Sequence, residues 1–183
     1  MNDTQPIRDK RLVADIKNYL YAKRERDGLL FDILVNTGIR IGDALALKRR
    51  HVMGPELAII EHKTDKRKLN VSLKDLRPAI DSYIDDANRD VVDPDGYLFE
   101  SNKGGPLSRV QAYRILDKAG KEFGVNLSPH ALRKTFGYWT YKETRDLATL
   151  QMLFNHSSPA VTLRYIGISQ DEANTLFETR SHL

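Results

Sequence analysis

A chain of 183 residues can build one sizeable core and falls short of two domains of the usual size, roughly 100 to 200 residues each. Its 29 Lys and Arg against 25 Asp and Glu leave a net charge of +4, which permits a nucleic-acid partner without requiring one. The absence of cysteine excludes disulfides, thiolate zinc sites and cysteine nucleophiles, and no apolar run approaches the roughly 20 residues that cross a membrane. The opening residues are no signal peptide, so a cytoplasmic protein with no membrane partner is expected.

Helical periodicity begins with Leu12, Ile16, Tyr19 and Leu20 and continues with Leu29, Leu30, Ile33 and Leu34. Asn36, Thr37 and Gly38 break it. The apolar set Ile41, Leu45 and Leu47 resumes at once, which predicts Arg40 at a tight turn near a helix start, where an anion is welcome. After Pro55, the run Leu57, Ile59, Ile60 and the alternating Leu69, Val71, Leu73 predict a β-hairpin with a basic tip.

Helix is expected again over about 74–88, followed by a loop holding Pro94, Gly96, Gly104, Gly105 and Pro106. Ser108 with Gln111 forms a capping-box signature ahead of Ile115, Leu116 and Ala119. Ser128 before Pro129 and Ser158 before Pro159 each pair a good N-cap with proline at the first helical position. Ser169 with Glu172 caps a last short helix. Without internal repeats or a convincing linker, the chain reads as a single domain over residues 1–183, mainly α with a small antiparallel β-sheet, an α+β fold.

Chemistry gathers at four places. His130 and Arg133 are three residues apart, so both project from the first turn of a helix beside backbone N–H groups that have no helical partner. His156 precedes the Ser158 helix start, and Tyr165 lies nine residues after it. Arg40 has Asp43 three residues on, able to pair with it or to hold a neighbouring cation; its planar fork suits the two non-bridging oxygens of a phosphodiester. Lys63 opens a basic run through Lys66, Arg67 and Lys68 at the hairpin tip. Taken singly, these are a solvated helix end, a loop histidine, a core aromatic, a surface charge and a basic turn.

Jointly they resemble the tyrosine recombinases, which include the phage integrases. The segment from Thr37 to Leu45 looks like the family's first arginine box, His130 to Phe136 its second, and Asn155 to Tyr165 its His-to-Tyr box. Lys63 falls where the family's hairpin lysine is expected. The resemblance runs in order from about Ile7 to Phe177 and implies a recombinase catalytic-domain architecture. It implies Tyr165 as nucleophile, forming a 3′-phosphotyrosyl link, with Arg40 and Arg133 on the non-bridging oxygens. His130 is then acid or base, His156 a phosphate hydrogen-bonder, Lys63 the proton donor to the leaving 5′ oxygen, and Asp43 a supporting residue. Neither metal nor ATP nor another cofactor is implied. Double-stranded DNA is the implied partner, contacted by Lys66, Arg67, Lys68 and Lys134, with a monomer free in solution and a tetramer on paired sites.

Two departures stand out. Asn155 replaces the glycine usual before the histidine, and asparagine tolerates the left-handed conformation that such a position demands. The chain also begins almost at the catalytic domain, so the N-terminal core-DNA-binding domain of many relatives is expected to be missing. Type IB topoisomerase chemistry and a catalytically silent DNA-binding regulator are the alternatives. Relaxation of a plasmid without a specific site separates the first from a recombinase. Docking of the segment Ser169 to Phe177 on its own molecule or on a neighbour stays open.

Overall fold

A computed structural model describes residues 4–60, 68–85, 93–168 and Glu172. The first helix, α1, spans Lys10–Lys23, with the Asp9 side chain accepting from the Arg11 N–H at its start. Arg24 adopts extended backbone, and α2 follows over Glu25–Thr37, its acidic Glu25 and Asp27 in the first turn where the helix dipole favours them. It ends at Gly38, whose left-handed φ of 62° reverses the chain. Arg40 is then the extended N-cap of α3, Ile41–Leu45, as expected, although this helix is a single turn and ends before Leu47.

The predicted hairpin forms. Strand β1, Glu56–Ile60, pairs antiparallel with β2, Lys68–Ser72, in a register that sets Leu57 against Val71. Lys63, Lys66 and Arg67 lie outside the described residues. The helix expected over about 74–88 starts with a 3₁₀ turn at Lys74–Leu76 and becomes α4 at Arg77–Asp85; its last three expected residues fall outside the described part.

Three sequence-predicted starts appear with their caps. Ser108 and Gln111 bond reciprocally before α5, Arg109–Glu122. Ser128 caps α6, Pro129–Thr144, by accepting from the Ala131 N–H. Between them and the last helix, Asp146 accepts from Thr149 and starts α7, Leu147–Phe154. Ser158 accepts from Val161 to open α8, Pro159–Tyr165. The final helix expected from Ser169 lies outside the described residues, apart from Glu172, which is helical.

Two apolar clusters organise the domain. The larger joins α1, α2, α4 and α5 through Leu20, Leu30, Ile33, Ile80 and Leu116. The smaller unites Tyr138 and Tyr141 of α6 with Leu150 and Phe154 of α7, Leu163 of α8, and Ile166 and Ile168 beyond it. The N-terminal end of α6 reaches the first cluster through Leu132, so this helix spans both. Among the described residues, no helix is long and apolar enough to cross a membrane.

Candidate active site

The mouth between the two clusters is a cleft of about 730 Å³. Arg40, Asp43, His130, Arg133, His156 and Tyr165 all line it, so six sequence-predicted residues from four segments converge. Each arrives by a local device. Gly38 turns the chain so that Arg40 faces α6, the Ser128 cap sets His130 and Arg133 on the first turn of α6, and Tyr165 is the last residue of α8. Asn155 ends α7 with φ 57° and ψ 46°, the left-handed geometry expected of it, and thereby delivers His156 to the cleft.

Tyr165 is the centre of the arrangement. Its hydroxyl is 3.3 Å from His130 Nδ1, and the two rings meet edge to face at 5.0 Å. The Arg133 side chain also hydrogen-bonds this hydroxyl. The phenol thus accepts from a guanidinium that has no lone pair to offer, and its own proton can pass to His130 Nδ1 when that nitrogen holds the lone pair. Burial raises the Tyr165 pKa, while Arg133, and more weakly Arg40, oppose that rise. The net shift is upward, so at neutral pH the group is a phenol that needs a base.

Arg133 is 9% exposed. Its guanidinium donates to the Gly38 carbonyl and lies 4.6 Å over the Phe154 ring. Desolvation, aided by Arg40, lowers its pKa to about 10 against the opposing pull of Tyr165 and Asp43. It therefore stays charged at neutral pH, with Asp43 acting on this buried cation across the cleft.

His156 Nδ1 is 3.1 Å from Thr162 Oγ1, and that hydroxyl is 3.3 Å from the Ser158 carbonyl oxygen. The hydroxyl can accept from Nδ1 or donate to it, and in the second case the ring proton stands on Nε2, facing the cleft. Burial, then Arg133, then Arg40 lower the His156 pKa, keeping the ring neutral at pH 7.

Lys134 is 5% exposed, with its ammonium 5.6 Å from the centroid of the Tyr165 ring. Lys68 stands at the start of β2. Two lining residues were not foreseen. Arg109 and Tyr113 enter the cleft from the first turns of α5, and Arg109 Nη2 lies so near Gly42 that a Cβ there would meet it at 2.6 Å. The sequence marks Arg109 only as the residue after a good N-cap.

Comparison with known proteins places the chain in a family. The model of the phage integrase family matches residues 9–172. The probable integrase/recombinase YoeC of Bacillus subtilis is 39% identical over 181 residues, 97% of this chain and 97% of its own. The tyrosine recombinase XerC of Nitrobacter winogradskyi is 28% identical over 159 residues, 84% of this chain but 49% of that protein, so the chain spans about half its length. A solved XerH site-specific recombinase, a pre-cleavage complex bound to difH substrate, shares the fold. Its TM-score is 0.73 at 22% identity, covering 98% of this chain and 54% of that one. The chain belongs to the phage integrase family.

Proposed function

We propose that this chain is a site-specific recombinase that cleaves and rejoins double-stranded DNA through a phosphodiester link to Tyr165. The observation that carries this reading is the Tyr165 hydroxyl placed 3.3 Å from a histidine nitrogen in a cleft that also holds Arg40 and Arg133. A phenol, a base and two fixed cations are what in-line attack on a phosphodiester requires.

In the forward step, Tyr165 Oη forms a bond to phosphorus as His130 Nδ1 takes the phenolic proton. The P–O5′ bond breaks, and its electron pair leaves on the 5′ oxygen. Arg133 and Arg40 hold the non-bridging oxygens as negative charge grows on them. Lys63 gives a proton to the leaving oxygen, a role supported by its place in the family resemblance. His156 Nε2, carrying a proton, donates to a phosphate oxygen. Attack by a 5′ hydroxyl on the phosphotyrosine runs the same steps backward and rejoins the strand, without an external energy source.

Lys66, Arg67 and Lys68 contact the DNA backbone in this reading. The working assembly is four protomers on two duplexes, with a monomer when DNA is absent and a cytoplasmic location. Nicked duplexes taken from the chain's native locus test the proposal. A covalent adduct should persist on a denaturing gel, and Tyr165→Phe should abolish it. Lys63→Ala should slow cleavage of an ordinary 5′-oxygen leaving group; unchanged cleavage would remove Lys63 from the mechanism.

A further inference from the structure

Residues 6–8 precede every helix, yet they bind both the helix that carries His130 and the turn that follows Tyr165. The Ile7 N–H donates to Thr135 Oγ1 at 2.8 Å, a buried bond, and Thr135 Oγ1 itself donates to the Ala131 carbonyl at 2.8 Å. The Trp139 indole N–H donates to the Ile7 carbonyl at 3.0 Å. Both backbone groups of Ile7 are thereby fixed to α6. Next to this anchor, Arg8 Nη2 donates to the Gly167 carbonyl at 2.6 Å, and its guanidinium lies 5.3 Å from the Tyr138 ring centroid.

Gly167 is the receiving end of the strap. Its φ of 75° is left-handed, and a Cβ there would stand 3.1 Å from Pro6 and 3.2 Å from Arg8. It lies just two positions beyond Tyr165 in the chain. The turn also returns the Ile168 N–H to the Leu163 carbonyl at 2.9 Å, so its shape sets where α8 ends. A seven-residue helix has little stability of its own, and its last residue is held by what packs around it.

We infer that Arg8 is a positioning residue for the nucleophile: the N-terminal segment, anchored on α6, straps the Gly167 turn so that Tyr165 stays within reach of His130. This rests on Tyr165 being the nucleophile. Arg8 itself is exposed and lies outside the cleft, so it acts only through the turn. The charged donor to a carbonyl forms the stronger kind of hydrogen bond, and a lysine can replace that donor while losing the planar contact with Tyr138.

The test compares the wild-type chain with Arg8→Ala and Arg8→Lys. Single-turnover cleavage of a nicked duplex should fall about tenfold or more in Arg8→Ala, with DNA affinity and thermal midpoint nearly unchanged, and should recover in part in Arg8→Lys. Amide hydrogen exchange of the peptide spanning residues 163–168, measured without DNA, should quicken in Arg8→Ala and recover in Arg8→Lys. Unchanged exchange overturns the strap. Faster exchange with wild-type cleavage overturns the positioning role. If the wild-type chain forms no adduct at all, the recombinase reading fails, and the exchange data alone then decide whether the strap exists.

Discussion

The buried guanidinium of Arg133 donates a hydrogen bond to the carbonyl of Gly38, so one cleft arginine fastens the turn that presents the other, Arg40. That carbonyl ends α2 and has no further helical turn to accept from. The same guanidinium serves the Tyr165 hydroxyl and packs on Phe154. Arg133→Ala should cost about 1–3 kcal/mol of stability, because a desolvated carbonyl loses its donor. Arg133→Lys keeps a charge but cannot span these partners, so its cleavage rate should drop about 100-fold or more. Chemical denaturation and single-turnover cleavage measure the two effects; wild-type cleavage by the lysine variant would show that the fork is unnecessary.

Gly137 is where α6 closely approaches the segment beyond the tyrosine. A Cβ there would sit 2.6 Å from Ile166 Cγ2 and 2.7 Å from Phe154 Cε2. Both neighbours are 2% exposed or less and have nowhere to retreat. Gly137→Ala should therefore destabilise the chain by about 1–3 kcal/mol and depress cleavage by moving Tyr165 from His130. Gly54→Ala is the control, since its nearest neighbour is the Glu56 carbonyl at 3.9 Å. Equal melting temperatures and cleavage rates for the two variants would contradict the packing described.

Much of the fold is legible in the sequence because it depends on short-range signals. Ser108 with Gln111, Ser128 with Pro129 and Ser158 with Pro159 each announce a helix start within a few residues, and each cap forms. Asn155 is legible because the family's usual glycine marks a left-handed position that asparagine tolerates. Cleft membership of Arg40, Asp43, His130, Arg133, His156 and Tyr165 follows from the family resemblance, since single residues carry little. Arg109 and Tyr113 give no such signal: their place in the cleft depends on α5 lying across Gly42, which only tertiary packing decides. Lys134 is buried, which is not legible from its charge. On α6 it is flanked by buried Leu132, Arg133, Thr135 and Gly137, and a helix buried nearly all round leaves its lysine no outward face. The start of α7 has a readable signal that the periodicity alone passes over, for Asp146 and Thr149 stand at cap spacing before an apolar run.

His156 should make DNA binding pH-dependent. In the free chain its pKa is lowered by burial and by two arginines. A phosphate offsets the arginine charge and raises the pKa, so the bound state holds more protons than the free state. Affinity should thus strengthen as pH falls from about 7.5 to 5.5, and His156→Gln should flatten the profile. Fluorescence anisotropy across this range measures it; a wild-type affinity independent of pH would contradict the assignment.

Hairpin cations should appear in the salt dependence. Every DNA phosphate that a cation no longer neutralises lowers the slope of log affinity against log salt by about 0.9. Replacing Lys66, Arg67 and Lys68 together with alanine should reduce the slope by up to about 3. An unchanged slope would remove the hairpin from the DNA interface.

In the proposed reaction Tyr165 becomes covalently joined to DNA. Tyr113 lines the same cleft and is 47% exposed, so loss of activity in a Tyr165 variant is less direct than finding the bond itself. The decisive measurement is mass spectrometry of the adduct formed on a nicked duplex, after digestion of protein and DNA. The nucleotide remnant should lie on the peptide containing Tyr165; a remnant on the peptide containing Tyr113, or on any other residue, would contradict the claim.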